Sequence, residues 1–97
     1  MTPVEKIESL LRERLGAVHV EVEDESALHA GHAGAAAGGG HYSCLVVADS
    51  FEGQTPLERH RRVYQALGDL MKSEIHALAL RTFSPAEWAD RGSGPRR

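Results

Sequence analysis

The apolar positions of this chain switch between two periods. From Val4 onward, Val4, Ile7, Leu10, Leu11 and Leu15 recur at helical spacing and form one stripe, which Gly16 closes. Val18, Val20 and Val22 then alternate with His19, Glu21 and Glu23, which predicts a strand with one wet face. In YSCLVVA, Tyr42, Cys44 and Val46 share a face, with Ser43, Leu45 and Val47 opposite. Helical spacing returns in Leu57, Val63, Leu67, Leu70 and Met71, with Tyr64 beside them and Gly68 weakening the helix near its end. In IHALALRTF, His76, Leu78 and Leu80 share one face and Ala77, Ala79 and Arg81 the other; a short helix through Trp88 comes next. The predicted order is α–β–β–α–β–α.

Helix starts are marked independently of this pattern. Thr2-Pro3-Val4-Glu5, Thr55-Pro56-Leu57-Glu58 and Ser84-Pro85-Ala86-Glu87 each place a hydroxyl at the N-cap, proline at the first helical position and glutamate at the third. The hydroxyl accepts from an orphan amide, the glutamate reaches back, and proline has no amide to leave unpaired. The three lead into different sequences, so they are start signals and not a repeat.

The fold class implied by this order is α+β: a three-stranded mixed sheet with helices on one face. Strands one and two make an antiparallel hairpin across a long glycine-alanine connection. Strands two and three are joined through a helix and are expected to run parallel. The start of strand three then lies at the end of the sheet that carries the hairpin loop. His76 therefore faces the neighbourhood of His29, His32 and His41, which lie in HAGHAGAAAGGGH.

Composition narrows the chemistry. Ninety-seven residues, 41% hydrophobic and 26% charged, make one soluble domain, with residues 1–90 as its body and 91–97 as a frayed tail. A net charge of −3 gives no global footprint for nucleic acid. No apolar run is long enough to span a membrane, and no signal-peptide pattern opens the chain, so a cytoplasmic protein is expected. One cysteine, Cys44, excludes an internal disulfide and every multi-cysteine zinc motif; its period assigns it to the core. His19 falls on the wet face, and His60 sits within ERHRR. That run, with Arg59, Arg61 and Arg62, is the concentrated positive patch and the candidate nucleic-acid contact. No nucleophile elbow, H-E-x-x-H or phosphate-binding loop occurs, so no enzyme is expected. An isolated H-x-x-H outside a helix fixes no metal geometry; His76, anchored on a strand, is what makes a metal site arguable.

VEVEDESALHAGH, FEGQTPLERHRRVYQAL and IHALALRTFSPAEW, in this order, resemble the BolA family across nearly the whole chain to Trp88. The resemblance implies an αββααβ(α) arrangement similar to class II KH domains, with an extra short helix around Leu57 to Tyr64. It also implies a monothiol glutaredoxin partner and a bridging 2Fe–2S cluster that glutathione helps to ligate, in iron–sulfur trafficking and iron-linked regulation. Carried over residue by residue, the I-H-A-L histidine falls on His76. The loop ligand falls on His29 through E-S-x-x-H, with His32 as the alternative. The chain is then a monomer alone and a heterodimer with its partner. The second function carried by the resemblance is DNA-binding regulation through the KH-like fold and the basic helix, although no G-x-x-G loop occurs between residues 50 and 72. A cluster-free protein adaptor is the third.

Overall fold

The computed structural model describes residues 1–26 and 40–92; the expected loop ligands His29 and His32 and residues 93–97 of the expected tail lie outside them. The elements are α1 (Pro3–Leu15), β1 (Ala17–Asp24), β2 (Gly40–Ala48), a 3-10 turn (Asp49–Phe51), α2 (Pro56–Leu67), α3 (Leu70–Ser73), β3 (Ile75–Phe83) and α4 (Pro85–Gly92). The sheet order is β1–β2–β3, with β1 antiparallel and β3 parallel to β2. This is the expected α+β class with a mixed three-stranded sheet, except that α4 packs on the face opposite α1 and α2.

All three start signals form. Thr2 Oγ1 accepts from the Glu5 amide at 3.1 Å while Glu5 accepts from the Thr2 amide at 2.9 Å. Thr55 and Glu58 repeat the exchange at 3.2 and 2.9 Å. Ser84 and Glu87 do so at 3.2 and 2.9 Å. Each exchange satisfies two orphan amides, so the helices begin where the chain chemistry says they should.

The core lies between the sheet and α1 with α2. Ile7, Leu11, Val20, Tyr42, Cys44, Val46, Phe51, Val63 and Leu67 are buried in it, and Val22, Leu78 and Leu80 pack against its rim. The far face of the sheet is covered at one end. There Val47, paired with His19 and Phe83, is fully buried, and Trp88 of α4 lies within 5.0 Å of the His19 ring and 5.5 Å of Phe83.

Five local expectations are corrected. Val18 is exposed, because an irregular register between Ala17 and His19 breaks the alternation and turns Ala17 inward instead. The helix from Thr55 stops at Leu67: Gly68 adopts φ 54°, ψ −124°, and Leu70 and Met71 belong to a separate turn of helix. The extra helix is therefore this one, not one around Leu57 to Tyr64. Leu57 is 59% exposed, since the inner stripe of α2 runs through Arg59, Val63, Ala66 and Leu67. His19 is not simply solvated: it is half-buried, stacked on Trp88 and bonded to Glu21 at 2.8 Å.

Candidate metal centre

Because β2 and β3 are parallel, their first residues meet at one end of the sheet. The chain there is pinned by short bonds. The Gly40 amide donates to the Glu74 carbonyl at 2.9 Å, the His41 amide to Ser26 Oγ at 3.1 Å, and the Glu25 amide to the His41 carbonyl at 2.7 Å. Ser26 donates its own amide to Asp24 Oδ1 at 2.9 Å, and these Ser26 contacts hold the Asp24 carboxyl below the usual range. Gly40 is required by close approach: a Cβ there would meet the Tyr42 ring at 2.6 Å. Burial, then the charges of Asp24 and Glu74, push the Tyr42 phenol up.

Into this end the fold brings two imidazoles. The register runs Gly40–Ile75 and then His41–Ala77, so His76 is the residue passed over. Ile75 and Leu78 both turn toward the core across that irregularity, and His76 is left exposed. Its expected place on the Leu78–Leu80 face is corrected accordingly. Its ring lies 5.2 Å from that of half-buried His41, with the planes inclined at 42°. A depression lined by Glu25, His41, Tyr42, Ala77, Leu78 and Ala79 opens beside the pair. Glu74 is engaged with Lys6 at 2.8 Å.

Imidazole is a neutral borderline ligand, and a nitrogen donor on an exposed ring is open to a metal held by another molecule. Among the described residues, no group of three or more His, Cys, Asp and Glu side chains could hold a metal ion. His41 and His76 are the imidazole pair that the described residues bring together. Two imidazoles on one iron of a 2Fe–2S cluster is a known chemistry, with the other iron held by thiolates. His41 is the neighbour of His76 that sequence reasoning did not single out among the histidines of this region. The signal was its position immediately before Tyr42, at the start of the strand parallel to the one that begins with Ile75-His76.

The other candidates lie elsewhere. Cys44 is 2% exposed, and burial, then the charge of Glu8, pushes its thiol up to about 12. It is a core residue and no ligand. Arg59 does not join Arg61 and Arg62 on the surface of α2. It is 8% exposed, forks onto Glu87 at 2.6 and 3.2 Å, and donates from Nε to the Gln54 carbonyl at 3.0 Å. Its guanidinium also reaches the Thr82 carbonyl at 3.5 Å and lies 5.7 Å from the Phe51 ring centroid. Arg61 and Arg62 are exposed and His60 is half-buried.

Known proteins share this chain's pattern along most of its length. The model of the family described as BolA-like protein matches residues 11–87. The DNA-binding transcriptional regulator BolA of Escherichia coli K12 is 39% identical over 84 residues, covering 87% of this chain and 77% of that protein. SufE-like protein 1 of Arabidopsis thaliana, chloroplastic/mitochondrial, is 39% identical over 87 residues, covering 84% of this chain but only 24% of that protein. The solved BolA domain of SufE1 from the same plant superposes with a TM-score of 0.76 at 37% identity, covering 90% of this chain and 96% of that one. The chain thus spans most of the bacterial relative and about a quarter of the plant one. Among the described residues, no helix is long and apolar enough to cross a membrane.

Proposed function

The chain belongs to the BolA-like protein family, and from that premise we propose that it is an adaptor, not an enzyme, which binds a monothiol glutaredoxin and shares a bridging 2Fe–2S cluster with it. The observation that carries this reading is the pair His41 and His76, with His76 exposed at the sheet end where residues 27–39 attach. His76 is the fixed ligand. His29 or His32 would complete the set from the connecting segment, and His41 is the strand residue that lines the site beside His76. The remaining ligands are the partner's thiolate and glutathione.

The roles of this chain's own residues derive from the donor chemistry. A neutral imidazole supplies one lone pair to a metal. Gly40, Ser26 and Glu25 fix the backbone of His41 and so fix the mouth of the site. When bound, the cluster supplies electron storage at a potential that histidine ligands raise relative to an all-thiolate site. Anaerobic mixing with glutathione-loaded monothiol glutaredoxin, iron and sulfide tests the reading. Co-elution of both proteins with iron and sulfide in equal amounts supports it. Elution of this chain apart from an iron-loaded glutaredoxin contradicts it.

A second reading, DNA binding through α2, is favoured by exposed Arg61 and Arg62 and by what the Escherichia coli relative is named. With Arg59 turned inward, at most two arginines of that run face a phosphate backbone, so binding would be weak and salt-sensitive. Replacing both with alanine should weaken duplex binding and flatten its salt slope by about two units. An unchanged slope removes α2 from consideration.

A further inference from the structure

The two outer strands of the sheet are finished differently. β1 carries Glu21, Glu23 and Asp24 and an irregular register at Ala17/His19. Charges and bulges are what keep an outer strand from pairing with another chain. Pairing β1 with its own copy about Val22 would set Glu21 directly against Glu23, which is repulsive. β3 has no such guard from Ala77 to Leu80, where it is uncharged, free of proline and regular in register. Ala77 and Ala79 are exposed, while Leu78 and Leu80 are half-buried at the rim of the core. Among the described residues nothing pairs with the other side of β3, and the Arg59 contact at Thr82 touches only its end.

We propose that this edge is a self-association surface, on which a second copy of the chain lays its own β3 antiparallel to form one continuous sheet across a two-fold axis. Residues directly opposite in such a pair must share a face, so the axis has to pass through a residue and not between two. Centring on Ala79 sets Leu78 against the second copy's Leu80, twice, on the core side. The open side then pairs Ala77 with the second copy's Arg81, and the small alanines lie on the axis. Centring on Leu78 would set His76 against Leu80, and centring on Leu80 would set Leu78 against Thr82, so the Ala79 register buries the most apolar surface. The two Arg81 side chains are then offset by four residues, about 13 Å, beyond the screening length at physiological salt. Each also lines a depression with Glu21 and Glu23 of its own chain.

A five-residue ladder is small beside the roughly 1,000 Å² of a stable interface, so the dimer is weak and reversible. Sedimentation equilibrium of the metal-free chain with chelator present, from about 10 µM to about 1 mM, reads it directly. The weight-average mass should rise from 10.5 kDa toward twice that value. Ala79→Lys, which sets like charges face to face on the axis, should hold the mass at the monomer value. His76→Ala should dimerise as wild type does, which separates strand pairing from a metal bridge. Mild oxidation should cross-link Ala79→Cys and leave Ala77→Cys without a cross-link, with Cys44 buried and silent. A wild type that stays at 10.5 kDa overturns the proposal. So does a dimer that survives Ala79→Lys, or one that His76→Ala abolishes.

Discussion

Where β2 and β3 end, the polar side chains are engaged with one another. Arg59 bonds Glu87, Gln54 and Thr82, Glu87 also takes the Ser84 amide, and Arg91 lies over the Trp88 ring at 4.1 Å. Where the same strands begin, the backbone is equally well bonded, yet His76 reaches solvent beside His41. Eight residues of strand, about 26 Å, separate the two ends. The difference teaches how to tell a structural polar group from a chemical one. A charge saturated by internal partners holds elements together, whereas a donor left facing outward at a rigid end is available to a ligand.

The largest effect is expected between the ends, on the strand that joins them. Native Cys44 should alkylate far more slowly than the unfolded thiol, because it is 2% exposed and burial pushes its thiol up to about 12. Stopped-flow labelling with and without denaturant measures this. Fast native labelling would mean that the helix-covered face is open and that the ends do not share one rigid sheet.

At the saturated end, Arg59→Ala removes the guanidinium donor from the Gln54 and Thr82 carbonyls and leaves Glu87 with the Ser84 amide alone. Because Arg59 is buried but the Glu87 side chain is 50% exposed, the loss should be about 2–3 kcal/mol in urea denaturation. No loss would make the clasp ornamental and erase the contrast.

Much of this molecule is legible in its sequence because the signals are local. The three hydroxyl-proline-glutamate starts, the valine alternation and the parallel crossover each depend on residues close together in the chain. What was not legible depends on distant residues. Arg59 reads as part of a basic run until Glu87, 28 residues later, turns it inward. The irregularities at Ala17/His19 and Gly40/His41 arise from pairing between strands, so the exposure of Val18 and of His76 could not be read from period alone.

The same clasp sets a pH dependence. Hydrogen bonding to Arg59, with help from Ser84, holds the Glu87 carboxyl down from 4.5 to about 2. A depressed carboxylate stabilises the fold above its unfolded pKa, so this contribution is full above about pH 4.5 and is lost as pH falls toward 2. Exposure of Glu87 reduces it to on the order of 1 kcal/mol by solvent screening. Glu87→Gln should flatten the stability profile over that window, and an unchanged acid limb would contradict the pairing. At the open end the effect is the smallest: His76→Ala should change stability by less than about 0.5 kcal/mol in the same denaturation assay.

That near-silence in stability gives the decisive measurement its force. Visible circular dichroism of the chain reconstituted with glutathione-loaded monothiol glutaredoxin, iron and sulfide should give a histidine-type 2Fe–2S spectrum for wild type. The His76→Ala chain, folded and still able to meet its partner, should lose that spectrum. A wild-type spectrum from the His76→Ala pair would make His76 structural and contradict the shared-cluster account.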